Sequence, residues 1–259
     1  MKIHIALAQI QISPGDQHKN LQKAGEMIRA AACQNADVIL LPELWSSGYD
    51  LSHAAHWGAA NEEVSQSISD LARQHSIWIG GTLLEAQGEN IFNTFSLIDP
   101  QGKRHAAYDK IHLFKLMDED RFLTAGDHPV ITELPCGKTG LAICYDLRFP
   151  ELFRHYTLAG ARLILISAEW PLVRLEHWRS LLPARAIENQ FFIAAVNAVG
   201  DSNGTLMGGS SMLIDPWGNI IIEGSTDSEN LLIGELDIDL VDQARDSIPA
   251  LSDRRPDIY

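Results

Sequence analysis

Gly140-Leu-Ala-Ile-Cys-Tyr-Asp-Leu-Arg-Phe-Pro-Glu151 passes from apolar to polar within a few residues. Leu141 to Ile143 read as the end of a buried strand, and Pro150 and Glu151 suit the first turn of a helix. Cys144 therefore falls at a sharp strand-to-helix bend. A nucleophile there projects beyond the sheet, close to the backbone N–H groups that open the next helix. Such a position is expected to lower the thiol pKa and to stabilise an oxyanion. The same pattern also fits a buried structural cysteine, so its meaning depends on what the rest of the chain places beside it.

Outward from this bend, strands alternate with helices. Lys2–Gln11 reads as a first strand, followed by a helix from Asp16 or Asn20 to about Gln34 with Leu21, Ala24, Ile28 and Ala31 on one face. Ala36-Asp-Val-Ile-Leu-Leu-Pro-Glu43 is a continuously apolar strand, as expected where both faces of a sheet are covered. Glu62–His75 is expected as a helix. Ile77–Leu84 and Ile91–Ile98 are expected as hairpin strands, and Lys115–Asp127 as a polar loop. Beyond Cys144 the pattern predicts a strand at Leu163–Ser167, a helix from Leu175 to Asn189 and a strand at Phe191–Asn197. Strands at Ser210–Ile214, Ile220–Glu223 and Leu231–Leu236 follow, before a polar tail.

Two echoes organise this series. Leu97-Ile-Asp-Pro-Gln-Gly102 recurs as Leu213-Ile-Asp-Pro-Trp-Gly218, and Ala36-Asp-Val-Ile-Leu-Leu41 as Ala161-Arg-Leu-Ile-Leu-Ile166. The second pair is followed by Glu-Leu-Trp45 and Glu-Trp170. Two similar halves, each a helix-covered mixed sheet, pack face to face as a four-layer α-β-β-α sandwich. With no linker or break in composition, residues 1–259 read as one domain.

Composition narrows the function. The net charge of −14 disfavours nucleic acid and anionic membranes as partners. No apolar run approaches the ~18 residues of a membrane span, and Met1–Ile10 alternates like a strand rather than a signal peptide. Three cysteines, Cys33, Cys136 and Cys144, with no paired spacing fit a reducing cytoplasm and argue against disulfides or zinc. His53 and His56 have no third ligand near them, so no metal is expected.

A cysteine nucleophile needs a base for its proton, an acid for the leaving group and donors for the oxyanion. Glu43 and Lys110 each follow an apolar run, so both can point into the space beyond the strand ends where Cys144 lies. Glu43 suits base and acid. Lys110 and the backbone N–H of Tyr145 suit the oxyanion. The alternatives are a solvent-facing carboxylate for Glu43 and a surface lysine for Lys110, and spacing leaves a Cys–His dyad with His112 or His155 open.

Leu40-Leu-Pro-Glu-Leu-Trp45, Tyr108-Asp-Lys-Ile-His-Leu-Phe114 and Ile143-Cys-Tyr-Asp-Leu-Arg-Phe-Pro-Glu151, in this order, resemble the nitrilase superfamily of carbon–nitrogen hydrolases. The resemblance runs from the first strand to Asp253-Arg-Arg-Pro-Asp-Ile-Tyr259. It implies the α-β-β-α sandwich, a Glu43–Lys110–Cys144 triad, no cofactor and a homodimer or higher homo-oligomer. It also implies a second glutamate that orients the lysine and the substrate amide. Counting back from Ala125-Gly126-Asp127 makes this Glu119, with a slip to Asp118 or Asp120, or a merely solvated acidic loop, left open.

Ser167-Ala-Glu-Trp-Pro-Leu-Val-Arg174, Glu176-His-Trp178 and Ala184-Arg-Ala-Ile-Glu-Asn-Gln190 look like the ω-amidase branch, which opens the terminal amide of 2-oxo acids such as 2-oxoglutaramate. Such a substrate needs a cation for its carboxylate, and Arg148 and Arg174 are the candidates. Trp170 and Trp178 are expected as pocket walls or core aromatics, and Arg185 with Glu188 as a structural pair. The alternatives are an N-carbamoyl-amino-acid or short aliphatic amide hydrolase, and, from another class, a non-catalytic binding member of the fold.

Overall fold

The computed structural model describes residues 1–258. The first half comprises β1 (Lys2–Gln9), α1 (Gln17–Cys33), β2 (Val38–Leu40), α2 (Ala54–His75), β3 (Trp78–Gln87), β4 (Asn90–Ile98) and β5 (Arg104–Asp109). A connection carrying the short α3 (Glu119–Phe122) leads to β6 (Ile131–Leu134), β7 (Gly137–Ile143), α4 (Pro150–Leu158), β8 (Leu163–Ala168), α5 (Leu175–Asn189) and β9 (Phe192–Asn197). The chain finishes with β10 (Val199–Ser202), β11 (Thr205–Gly208), β12 (Met212–Ile214), β13 (Ile220–Glu223), β14 (Asn230–Asp237) and α6 (Asp239–Ser247).

The strands form two six-stranded mixed sheets, ordered β5-β4-β3-β2-β1-β14 and β13-β12-β9-β8-β7-β6, with β10 and β11 as a separate hairpin. In each sheet three central strands are parallel, and the outer pairings are antiparallel. Strand for strand the two sheets therefore match, and the echoed sequences fall on matching strands: β2 with β8, and β4 with β12. The expected sandwich and its two similar halves are both found.

Alternation along β1 shows how the layers pack. Ile3, Ile5 and Leu7 join the core between the sheets, which also holds Phe95, Leu141, Ile143 and Leu165. Ala6, Ala8 and Ile10 point the other way, against Ala24, Ile28 and Ala31 of α1 and Val64, Ile68 and Ala72 of α2. On the far side, Phe153 and Tyr156 of α4 and Trp178 and Leu182 of α5 cover the second sheet. Each large aliphatic side chain buried here contributes about 1.5–3 kcal/mol relative to exposure.

Some boundaries differ from the expected ones. Helix α2 begins at Ala54, well before Glu62. Its first turns are built on small residues, and Gly58 lies close to Ala86 and Ile91, so no run of large apolar residues marks them. The glycine-rich segment after β9 forms the β10–β11 hairpin, Ile131–Leu134 adds an edge strand to β7, and the polar tail contains α6, anchored by buried Val241 and Ala244.

Candidate active site

The β7 bend forms as expected, and α4 starts at Pro150, where the sequence places its first turn. A single 3₁₀ turn, Cys144–Arg148, comes first. Cys144 itself has φ +41°, in the left-handed region that L-residues other than glycine rarely occupy. Asp146, fully buried, holds the turn. It accepts hydrogen bonds from the Ile143 N–H (2.9 Å), Tyr108 OH (2.8 Å) and the His112 N–H (3.2 Å), and its Oδ1 lies 2.7 Å from His112 Nδ1. The His112 ring stacks on Phe149 with centroids 3.6 Å apart. His112 thus braces the turn through Asp146, while His155 is exposed on α4. The polar neighbours of the thiol are Glu43, Lys110 and the carbonyl of Glu169, 3.8 Å from Sγ, and no Cys–His dyad forms.

Glu43 follows β2 and is fully buried. The next residue, Leu44, has φ +44° and donates its N–H to Thr82 Oγ1 at 2.7 Å, which turns the Glu43 side chain inward. Its Oε1 accepts from Asn93 Nδ2 (2.9 Å) and Lys110 Nζ (2.7 Å), and its Oε2 from the Glu169 N–H (3.0 Å).

Lys110, the residue after β5, is also fully buried. Its backbone is pinned on both sides: its N–H donates to Asn93 O (2.9 Å) and its carbonyl accepts from the Gly126 N–H (2.9 Å). A Cβ at residue 126 would lie 2.2 Å from Asp109 O, so only glycine lets this loop come so close. The loop returns Glu119 to Lys110, with Oε1 2.6 Å from Nζ. Tyr49 OH (2.6 Å) and the Phe114 N–H (2.7 Å) complete the Glu119 carboxylate. Asp118 and Asp120 are exposed, Asp118 pairing with Arg121 at 3.2 Å, so of the three acidic residues it is Glu119 that reaches Lys110.

Burial decides the electrostatics. Desolvation raises the pKa of Glu43 despite the adjoining ammonium of Lys110. Lys110 rises above the ordinary lysine value because Glu119 and Glu43 outweigh its desolvation. The Cys144 thiol goes well above its ordinary value, through desolvation first and then the charge of Glu43. The expected lowering of the thiol is not found, because burial dominates and the helix N-terminus lies beyond the 3₁₀ turn.

A narrow cleft opens onto Cys144 and is lined by Phe114, Tyr145, Arg148, Glu169, Pro171 and Arg174, with Trp170 as one wall. The guanidinium carbon of Arg148 lies 4.7 Å from the Trp170 ring centroid, and that of Arg174 lies 5.6 Å from the Phe114 centroid. Among the described residues neither arginine has a carboxylate partner. Burial and the charge of Arg174 both lower the Arg148 pKa. Trp178 is a core residue with its Nε1 donating to Ser210 O (2.8 Å), and Arg185 pairs with Glu188 at 3.1 Å. Among the described residues no group of three metal-ligating side chains occurs.

Sequence reasoning assigned no role to Asn93, Tyr49, Asp146 or Glu169. Asn93 carried a weak signal at most, since β4 also holds Asn90, Thr94 and Ser96. Tyr49 carried none, since it reaches Glu119 only through the tertiary fold.

A helix-covered double sheet with an ammonium between two buried carboxylates, beside a thiol on a strained turn, has the form of a thiol-dependent hydrolase. Residues 4–246 match the carbon-nitrogen hydrolase family model, and the chain belongs to that family. It is 41% identical to a 2-oxoglutaramate amidase of Bacillus subtilis, with both chains covered completely. It is 32% identical to the omega-amidase NIT2 of Mus musculus, over 98% of this chain and 96% of the relative. A mutant amidase from Nesterenkonia sp. AN1, with the acetamide moiety of fluoroacetamide covalently added at its active site cysteine, superposes with a TM-score of 0.89. That pair is 27% identical, over 99% of this chain and 95% of the other.

Proposed function

We propose that this carbon–nitrogen hydrolase is an ω-amidase that releases ammonia from the terminal amide of a short 2-oxo acid such as 2-oxoglutaramate. Glu43 takes the Cys144 proton as Sγ attacks the amide carbon. Lys110 Nζ and the Tyr145 N–H stabilise the oxyanion, at about 3–4 kcal/mol per well-placed donor. Glu43 then protonates the departing nitrogen, ammonia leaves, and a thioester remains on Cys144. Glu43 next accepts a proton from water as its oxygen attacks the thioester, and that proton returns to sulfur as the carboxylic acid product departs and then ionises in solvent. Glu119 holds Lys110 in place.

The observation that carries the substrate class is the pair of arginines facing the cleft without a carboxylate of their own. Two guanidiniums beside one apolar-walled cleft suit a substrate carboxylate, and Trp170 and Phe114 hold them there by cation–π contact. The relatives described above add support, two being named for the amide of an oxo acid or an ω-amide. We place the enzyme in the cytoplasm as a homodimer acting as a single domain. Exposed Trp217, and exposed Ile187 of α5, which packs against the neighbouring Gly218, support self-association.

The test is ammonia release from 2-oxoglutaramate, glutamine, N-carbamoyl amino acids and an uncharged aliphatic amide. The oxo acid amide is expected to give the highest kcat/KM. Turnover confined to carbamoyl compounds would instead assign an N-carbamoyl-amino-acid hydrolase, and no turnover with an unreactive Cys144 would assign a binding protein.

A further inference from the structure

Glu169 follows β8, the strand that matches β2 in the other sheet, and so occupies nearly the place in the second half that Glu43 occupies in the first. The reaction proposed above gives it no task, yet its backbone ties the site together. Its N–H donates to Glu43 Oε2 (3.0 Å), and its carbonyl faces Cys144 Sγ (3.8 Å). The flanking peptides are fixed as well, the Ala198 N–H donating to Ala168 O (3.0 Å) and the Trp170 N–H to Asn197 Oδ1 (2.6 Å). This anchoring sets the direction of the side chain. It is fully buried, and neither carboxyl oxygen has a hydrogen-bond partner in the protein. The ionisable groups facing it are Glu43 and Lys110, with Ser202 of β10 as its other polar neighbour. Cys144 meets its backbone.

We propose that Glu169 is an uncharged positioning residue. Its carboxyl stays protonated while the enzyme works, and its ionisation sets the alkaline limit of activity. The inference rests on the reaction proposed for Glu43, Lys110 and Cys144. Lys110, the cation facing it, already contacts two carboxylates, Glu43 and Glu119, and neither Arg148 nor Arg174, which line the same cleft, acts on its carboxyl. A buried carboxylate with only the Ser202 hydroxyl as a neighbouring donor besides the committed Lys110 is strongly disfavoured, whereas the neutral acid is tolerated. Desolvation followed by the charge of Glu43 holds the Glu169 pKa well above its ordinary value, in agreement with that count. An anion at this point would oppose the negative charge that develops on the substrate oxygen and on sulfur, so activity falls once Glu169 ionises.

The test compares wild type with Glu169→Gln, which keeps size and neutrality but cannot ionise. Profiles of kcat/KM are taken from pH 6 to 10.5, together with the rate of Cys144 alkylation by iodoacetamide, which needs no substrate. Near neutrality the variant is expected to stay within about threefold of wild type in both. Its alkaline limb is expected to move up by at least one pH unit, and its alkylation midpoint to move down. Superimposable wild-type and variant profiles would overturn the proposal, as would a wild type without an alkaline limb. So would a folded, alkylatable variant more than 100-fold slower at pH 7, because a charge at this position would then be required. If no amide is turned over by wild type, the proposed function fails, and the alkylation comparison alone decides the role of Glu169.

Discussion

Replacing Lys110 by methionine removes the only cation from a buried cluster while nearly preserving the volume of its stem. The ammonium lies 2.7 Å from Glu43 Oε1 and 2.6 Å from Glu119 Oε1, all three side chains being inaccessible to solvent. Breaking a buried pair by deleting one partner costs about 3–5 kcal/mol, because the remaining charge is left unpaired. For a chain of this size about 1 kcal/mol shifts Tm by roughly 2–4 °C, so the variant should melt about 6–20 °C below wild type at pH 8. The sign with pH follows from Glu43. Its pKa in the folded state is already above the ordinary 4.5, and removing the ammonium raises it further. The folded variant then binds a proton that the unfolded chain has released, so its stability is highest below pH 4.5 and is lost as pH rises through the folded value. Thermal melts of both proteins at pH 5.5 and pH 8 measure this directly. A Tm within about 2 °C of wild type at pH 8, or a deficit larger at pH 5.5 than at pH 8, would refute the account of the cluster.

Cys144→Ala should abolish ammonia release and leave Tm within about 3 °C, since the substituted atom carries the chemistry but little of the packing; circular dichroism and a turnover assay check both. Glu43→Gln should lower kcat by about 10²–10⁴-fold, the usual contribution of a positioned acid–base group, and should slow alkylation of Cys144 at pH 7.5. Arg148→Leu and Arg174→Leu, assayed separately, should raise KM for an oxo acid amide about tenfold or more while leaving an uncharged amide little changed, and the larger effect identifies the principal carboxylate contact. Asp146→Ala leaves the Tyr108, His112 and Ile143 donors without their acceptor, and each group stranded by burial costs about 1–3 kcal/mol; melting and the Cys144 alkylation rate should fall together.

The residues show why some of this was legible in the sequence. β2, β7 and β8 are buried on both faces, so their continuous apolar runs marked them, and the polar residue ending each run stood out. Glu43 and Cys144 were found in this way. The recurring Leu-Ile-Asp-Pro-x-Gly marked β4 and β12 because the same turn chemistry closes both strands. Helix α6 escaped because Val241 and Ala244 are its only buried residues, too few to set a period. The thiol was misjudged for another reason. A strand-to-helix pattern does not reveal whether a 3₁₀ turn intervenes or how dry the bend is, and both depend on chain packed from the other half. Glu169 was visible within an echo, but its meaning required knowing that β2 and β8 end at the same place.

Burial also explains why a carboxylate, rather than an imidazole, suits this thiol. With a histidine base, proton transfer from sulfur would create an imidazolium and an anion in a dry site where charge separation is costly. With Glu43, the negative charge present at the start moves from its carboxylate to the substrate oxygen, and both positions adjoin Lys110. The net charge of the cluster does not change during the step. A raised thiol pKa then fits the chemistry: the thiolate need not exist at rest, because sulfur gives up its proton as it attacks. Desolvation also favours the neutral form of Glu43, so the proton it receives is held for the departing nitrogen. Lys110 keeps its charge throughout because Glu119 remains beside it when Glu43 becomes neutral.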